Sequence, residues 1–93
     1  MRELTVMETR FYICAELDRQ MYDALFNINV ARMHGKIDQQ TAQQAETDVR
    51  NAFSIARVAL QRCETAEELE EIACQLKFYM QSYIVRHNLP FKF

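Results

Sequence analysis

Apolar residues recur every three or four positions in three successive segments of this chain, and polar residues fill most positions between them. This spacing matches the 3.6-residue turn of an α-helix and gathers the apolar side chains of each segment on one side. It predicts helices over residues 3–34, 38–62 and 65–87, followed by an apolar tail over residues 88–93. We therefore expect a single all-α domain over residues 1–93, a three-helix bundle or helical hairpin with a long first helix.

The ends of these segments carry residues that typically stop or start helices. Gly35 is the only glycine and Pro90 the only proline, and they follow the first and third segments. Glycine accepts the positive φ found at helix C-termini, whereas proline lacks the N–H that a continuing helix needs. We expect Asp38 or Thr41 to cap the second helix. The sequence Thr-Ala-Glu-Glu from Thr65 is typical of a capping box at the start of the third.

The first segment has more apolar surface than two neighbouring helices need. One row, spaced by three and four residues, consists of Cys14, Leu17, Met21, Ala24, Ile28 and Ala31. The adjoining face carries a second set, namely Phe11, Ala15, Tyr22, Leu25, Phe26 and Met33. At 100° per residue the two sets together cover roughly 200° of the helix. We expect a homodimer formed through helix one, because closed twofold dimers are the commonest oligomers.

Polar residues inside this apolar arc indicate how such a dimer is arranged. Asp18 and Arg32 are too far apart to meet on one helix, and an unpaired charge among apolar neighbours is costly. If two copies of helix one pack antiparallel about Leu25, each Asp18 approaches Arg32 of the other copy. The alternative is that both side chains extend to solvent at the edges of the arc. The predicted dimer interface comprises Leu17, Asp18, Met21, Leu25, Ile28 and Arg32.

A weaker apolar strip on the third segment, with the tail that follows it, is a candidate surface for a protein partner. Aromatic side chains dominate the energy of protein interfaces, and neighbouring cations speed the encounter with an acidic partner. The alternative is that the tail folds back and covers the surplus apolar face of helix one. The predicted partner-binding residues are Phe78, Val85, Arg86, Leu89, Phe91, Lys92 and Phe93.

Composition narrows the classes of function. Apolar residues make up 49% of the chain, which argues against disorder, and 11 basic and 13 acidic residues give a net charge of −2. No basic field attracts a phosphate backbone, so nucleic acid is disfavoured as a partner. No segment has the length and apolar character of a membrane span or of a secretory leader. We therefore expect a cytoplasmic protein that does not enter a membrane.

No group of residues is spaced for catalysis or metal binding. Cys14, Cys63 and Cys74 lack zinc-ligand spacing to one another and to the histidines, so we expect reduced thiols. His34 and His87 stand at predicted helix ends, where they cap carbonyl groups, and no nucleophile is placed beside them. The glutamates between residues 64 and 71 match the positive end of the third helix dipole. The sequence predicts no catalytic residue, no cofactor and no metal.

The length of the chain, its helix order and a dimer through a long first helix resemble the architecture of the all-helical chorismate mutases. The resemblance implies an enzyme with a cationic pocket between helices for a dianionic substrate. Arg10 and Lys36 are available for such a pocket, whereas Asn27 stands where a further arginine is needed.

These observations favour a small non-enzymatic helical protein that acts by binding another protein. We expect an inhibitor, adaptor or regulatory subunit of bacterial, phage or plasmid origin. A shared pocket containing Arg10, Arg32 or Lys36 would favour the enzyme instead. A DNA-associated transcriptional modulator is the third possibility, and it requires a basic face formed by Arg50, Arg57 and Arg62.

Overall fold

The computed structural model describes residues 4–93, and over that range it contains three α-helices and no strand. Helix α1 spans Val6–Met33, α2 spans Gln39–Gln61 and α3 spans Ala66–Arg86. The all-helical fold predicted from the apolar spacing is therefore confirmed. The predicted start of helix one at residue 3 lies outside the described residues.

Two of the helices begin at a threonine followed three residues later by a glutamate. The Thr5 hydroxyl accepts from the Glu8 N–H at 3.1 Å, and the Glu8 carboxylate accepts from the Thr5 N–H at 3.3 Å. At α3 the Thr65 hydroxyl accepts from the Glu68 N–H at 3.2 Å. These bonds satisfy N–H groups that have no partner within the helix.

The link between α1 and α2 is closed at both ends by hydrogen bonds. Gly35 has a φ of 72°, and the Lys36 N–H donates to the Ala31 carbonyl at 2.9 Å, which is the pattern of a Schellman C-cap. Asp38 then caps α2 by accepting from the Thr41 N–H at 2.7 Å. Hydrogen bonds from the Thr41 backbone and side chain lower the pKa of Asp38. Of the two predicted caps, Asp38 is the one used.

Helix α3 ends in the same way but without glycine. Asn88 has a φ of 53°, and the Leu89 N–H donates to the Ile84 carbonyl at 3.0 Å. Asparagine tolerates this left-handed conformation better than most residues, which makes it a common substitute for glycine here. The turn directs Leu89 back onto the bundle, where it is buried.

The core is a single apolar cluster that draws on all three helices. No polar or charged residue is buried among the described residues. The bundle measures 48 × 21 × 17 Å, and its core extends along the longest dimension, in the direction of the helices. The largest fully buried side chains are Phe53, Ile28, Leu60, Leu69, Met80 and Val49.

Three residues predicted at a dimer interface belong to this core instead. Leu17, Leu25 and Ile28 are at most 8% exposed, because α2, α3 and the tail cover them. Met21 is half-buried and packs against the same cluster. These side chains leave little or no area for a second copy, so a dimer through α1 has to use another of its faces.

The two residues of the predicted ion pair between chains each have a partner within their own chain. The Arg57 guanidinium of α2 donates to the Asp18 carboxylate at 2.9 Å. Arg32 donates to the Asn29 amide oxygen at 2.6 Å. Both acceptors are within reach of the same chain because Asp18 lies at the α1–α2 contact and Asn29 one turn before Arg32.

The tail follows the alternative in which it folds back. Phe91 and Phe93 are half-buried against the core, and the Phe93 ring meets the Phe53 ring edge-on with centroids 6.0 Å apart. Phe93 also lies beside Ala24 and Asn27 of α1. Leu89, Phe91 and Phe93, all predicted to bind a partner, therefore pack wholly or partly on their own chain.

Candidate protein-binding surfaces

An apolar groove of about 330 Å³ lies between α2 and α3. Alanines on the α2 wall are too short to fill the space between the two helices, and so the groove stays open. Ile55 stands at its edge with 71% of its surface exposed. The apolar lining consists of Ala52, Ile55, Ala56, Ala59, Ile72 and Leu76.

The α3 edge of this groove is acidic. Gln75 lines the groove, and its amide donates to the Glu71 carboxylate at 3.4 Å. Glu68 precedes Glu71 by three residues and so lies on the same side of α3. The groove therefore combines an apolar floor with negative charge along one side.

At the end of the groove nearest the start of α2, a hydrogen bond joins α2 to α3. Asp48 of α2 lines the groove and accepts from the Tyr83 hydroxyl of α3 and from the Gln44 amide. Burial raises the pKa of Tyr83 well above its usual range, and the bond to Asp48 adds to that rise. Tyr83 therefore stays protonated and holds α3 against α2 at this point.

A second apolar surface faces outward from α3. Phe78 and Val85 are 72% and 76% exposed, and together with Arg86 they line a shallow depression. Val85 also borders a neighbouring depression formed with Lys92 and the three apolar tail residues. The structure thus brings the predicted partner-binding residues into one region, although only Phe78 and Val85 among the apolar ones are fully exposed.

A third apolar surface runs along the solvent side of α1, and we call it the outer stripe. Its large side chains are each 64–75% exposed. The surplus apolar surface predicted on helix one is therefore present, but on the side away from the residues assigned to the dimer. The outer stripe consists of Met7, Phe11, Ala15, Tyr22, Phe26 and Met33.

The cations proposed for a catalytic pocket do not converge within one chain. The Arg10 guanidinium donates to the Leu60 carbonyl at 3.1 Å and to the Cys63 carbonyl at 2.7 Å, so it caps the end of α2. Arg32 lies about 33 Å further along α1, and Lys36 follows that helix. A single bound substrate cannot contact Arg10 and Arg32 of the same chain.

The arginines of α2 likewise do not form one basic face. Arg50 and Arg57 are seven residues apart and share a side of the helix, but Arg57 is paired with Asp18. Arg62 follows the last residue of α2 and falls on a different side. These three arginines therefore do not form the basic face that the DNA-binding alternative requires.

The histidine, cysteine and carboxylate side chains within the described residues do not assemble a metal site. His34 and His87 are the C-cap residues of α1 and α3, and the His87 ring stacks on Tyr83 with centroids 4.2 Å apart. Over residues 4–93 no three His, Cys, Asp or Glu side chains are grouped so that they hold a metal ion. The cysteines are free, with Cys74 exposed and Cys63 buried. Among the described helices none is long and apolar enough to cross a membrane.

Comparison of the chain with protein-family models, with curated proteins and with solved structures finds no match.

The groove between α2 and α3 is the feature that the sequence analysis missed. Ala52 and Ala56 are four residues apart and lie on the same side of α2. Ile55 lies beside them, and their side chains are too small to cover it. An apolar residue of this kind next to a run of alanines is the signal that indicates the groove.

Proposed function

We propose that this protein is a small non-enzymatic helical protein that acts by binding another protein, and that the α2–α3 groove is its principal binding site. The observation that supports the proposal is the open apolar groove with Ile55 exposed at its edge. Hydrophobic grooves that accept the apolar face of a partner helix are a recurring form of protein recognition. Burying Ile55 and the groove floor removes apolar surface from water and so favours association.

The partner that fits this groove is an amphipathic helix. The α2 wall extends from Asp48 to Ala59, which is about 16 Å or three helical turns. A helix in such a groove inserts apolar side chains at positions i, i+3 or i+4, and i+7. Lysine or arginine on its flank then faces Glu68 and Glu71, so we propose a partner helix with an apolar face and a basic edge.

The outward surface of α3 provides a second contact for a larger partner. Phe78 and Tyr79 are consecutive residues, so their side chains diverge by about 100° around α3. Tyr79 lines the groove, whereas Phe78 lies on the outward surface with Val85 and Arg86. A partner that extends around α3 therefore covers both surfaces.

Capture from cells of the source organism with tagged variants tests the groove. Ile55→Glu places a charge at the groove edge and is expected to remove the captured partner, because the apolar contact is lost. Val58→Glu is the matched control, since Val58 is exposed on the same helix but lies outside the groove lining. Capture is measured by quantitative mass spectrometry, and circular dichroism checks that both variants remain folded.

Two outcomes would count against this assignment. Equal capture by wild type and Ile55→Glu would mean that the groove is not the binding site. Equal loss with Ile55→Glu and Val58→Glu would mean that general surface charge, and not the groove, controls binding.

A further inference from the structure

The outer stripe of α1 is too large to be an incidental patch on a monomer. Seven large apolar side chains on and beside it are each at least 52% exposed: Leu4, Met7, Phe11, Tyr12, Tyr22, Phe26 and Met33. Side chains of this size offer about 150–250 Å² each, so together they expose roughly 900 Å². The largest apolar patch of a typical monomer is about 300–600 Å². A standard protein interface covers about 800 Å² on each partner, which the stripe supplies together with its neighbours Leu4 and Tyr12.

The four central residues of the stripe are spaced symmetrically, so that the spacing is the same in both directions along the helix. Phe11, Ala15, Tyr22 and Phe26 are separated by 4, 7 and 4 residues. At 100° per residue they fall within about 60° of one another on the solvent side of the helix. On two antiparallel copies, each of these residues therefore lies opposite another member of the stripe, as in a twofold interface.

Antiparallel pairing about the midpoint between residues 18 and 19 matches the side chains in size. Phe11 lies opposite Phe26 of the second copy, and the small Ala15 lies opposite the large Tyr22. Helices approach closely where large side chains face small ones, so the two Ala15–Tyr22 pairs leave room for the helices to approach between the two Phe11–Phe26 pairs. At the centre, Asp18 lies opposite Arg19 of the second copy.

The charges at the centre are already neutralised within each chain. Arg19 bonds to Glu16 and, at 2.8 Å, to Asp23 of its own helix, and Asp18 bonds to Arg57. These groups remain at least 38% exposed, so they form a polar rim beside the apolar contact. The approach of a second copy therefore does not bury an unpaired charge.

We infer that the outer stripe of α1 binds a second copy of this chain, antiparallel and in the register that places Phe11 opposite Phe26. This interface uses the face of α1 opposite to the core. It is distinct from the α2–α3 groove and does not depend on the function proposed for that groove.

Light scattering coupled to size exclusion at about 100 µM tests the dimer. The wild-type chain is expected at twice the 11.0 kDa mass of one chain. Phe26→Glu is expected at the mass of one chain, because it places two charges within the apolar contact. Ala15→Arg provides a second variant, since it fills the space opposite Tyr22 and alters an exposed residue. Val58→Glu on α2 is the matched control and is expected to keep the dimer mass, since Val58 is exposed and lies on another helix.

A single-chain mass for the wild type would overturn the inference. A dimer mass retained in both Phe26→Glu and Ala15→Arg, with unchanged circular dichroism, would overturn the assignment of the interface to the outer stripe.

Disulfide formation between variants tests the register. In chains with Cys14→Ser and Cys74→Ser, a mixture of Ala15→Cys and Tyr22→Cys is expected to form the mixed 15–22 disulfide. Ala15→Cys alone is expected to remain reduced, since its two copies are about 10 Å apart along the axis. Efficient 15–15 bonding would show parallel helices and overturn the antiparallel register, whereas the mixed disulfide would support it.

Discussion

Replacing Leu89 by alanine is expected to destabilise the fold, although Leu89 lies outside the three helices. Its side chain is 7% exposed and belongs to the apolar core, so the substitution removes buried methyl groups and leaves a cavity. Substitutions of this kind cost about 2–5 kcal/mol, and a site at the end of a bundle falls near the lower end of that range. For a chain of this size, a loss of about 2–3 kcal/mol lowers the midpoint of thermal unfolding by roughly 10–20 °C.

The free energy of unfolding is measured by urea titration followed with far-UV circular dichroism. Chain concentration is held fixed across variants, because the proposed dimer would make apparent stability depend on it. Phe78→Ala is the control, since Phe78 is 72% exposed and its truncation should change stability by no more than about 0.5 kcal/mol. If Leu89→Ala costs no more than Phe78→Ala, the tail is not docked on the core and the reasoning about its fold-back is wrong.

Three further predictions concern the ends of the helices. Arg10→Met keeps most of the side-chain length but removes the bonds to the carbonyls of Leu60 and Cys63, and we expect urea titration to show a loss of roughly 1–3 kcal/mol. Asn88→Ala should lower the free energy of unfolding by roughly 1 kcal/mol, because a φ of 53° is strained for alanine, whereas Asn88→Gly should not lower it. Equal unfolding midpoints for the two variants would contradict this prediction. Asp38→Ala should lower the free energy of unfolding most above about pH 4 and progressively less below that pH. The pKa of Asp38 is lowered in the folded chain, so the ionised carboxylate stabilises the fold and this stabilisation is lost as acid protonates the carboxylate. A stability difference that does not change with pH would count against the cap.

The helix boundaries were predictable because their signals are local. Gly35 and Thr65 have preferences that act within one turn: Gly35 has the expected positive φ, and the Thr65 hydroxyl supplies the first of the two bonds of the predicted capping box. The start of α1 carries the same threonine–glutamate spacing at Thr5, so it too could have been found from the sequence. Asp38 was identified as one of two candidates, because two residues near the start of α2 have suitable side chains.

The choice between the two apolar faces of α1 was not determined by periodicity. Spacing assigns residues to a face but does not say which face turns inward, and both faces of α1 are apolar. Size is the physical difference: the inward face contains Ala24 and Ala31, which permit close approach of neighbouring helices, whereas the outer stripe contains Phe11 and Phe26. The docking of the tail depends on contact with Phe53, which is distant in sequence and gives no local signal.

The two proposed surfaces are compatible because of the way α1 is oriented. The centre of its outer stripe lies roughly 140° around the helix from its core-facing residues, and those residues face α2 and α3. A second copy on the outer stripe therefore leaves the α2–α3 groove open on both chains. Ile55→Glu should then keep the dimer mass, and Phe26→Glu should leave the groove of a single chain intact. Loss of the dimer is consequently distinguishable from loss of binding at the groove.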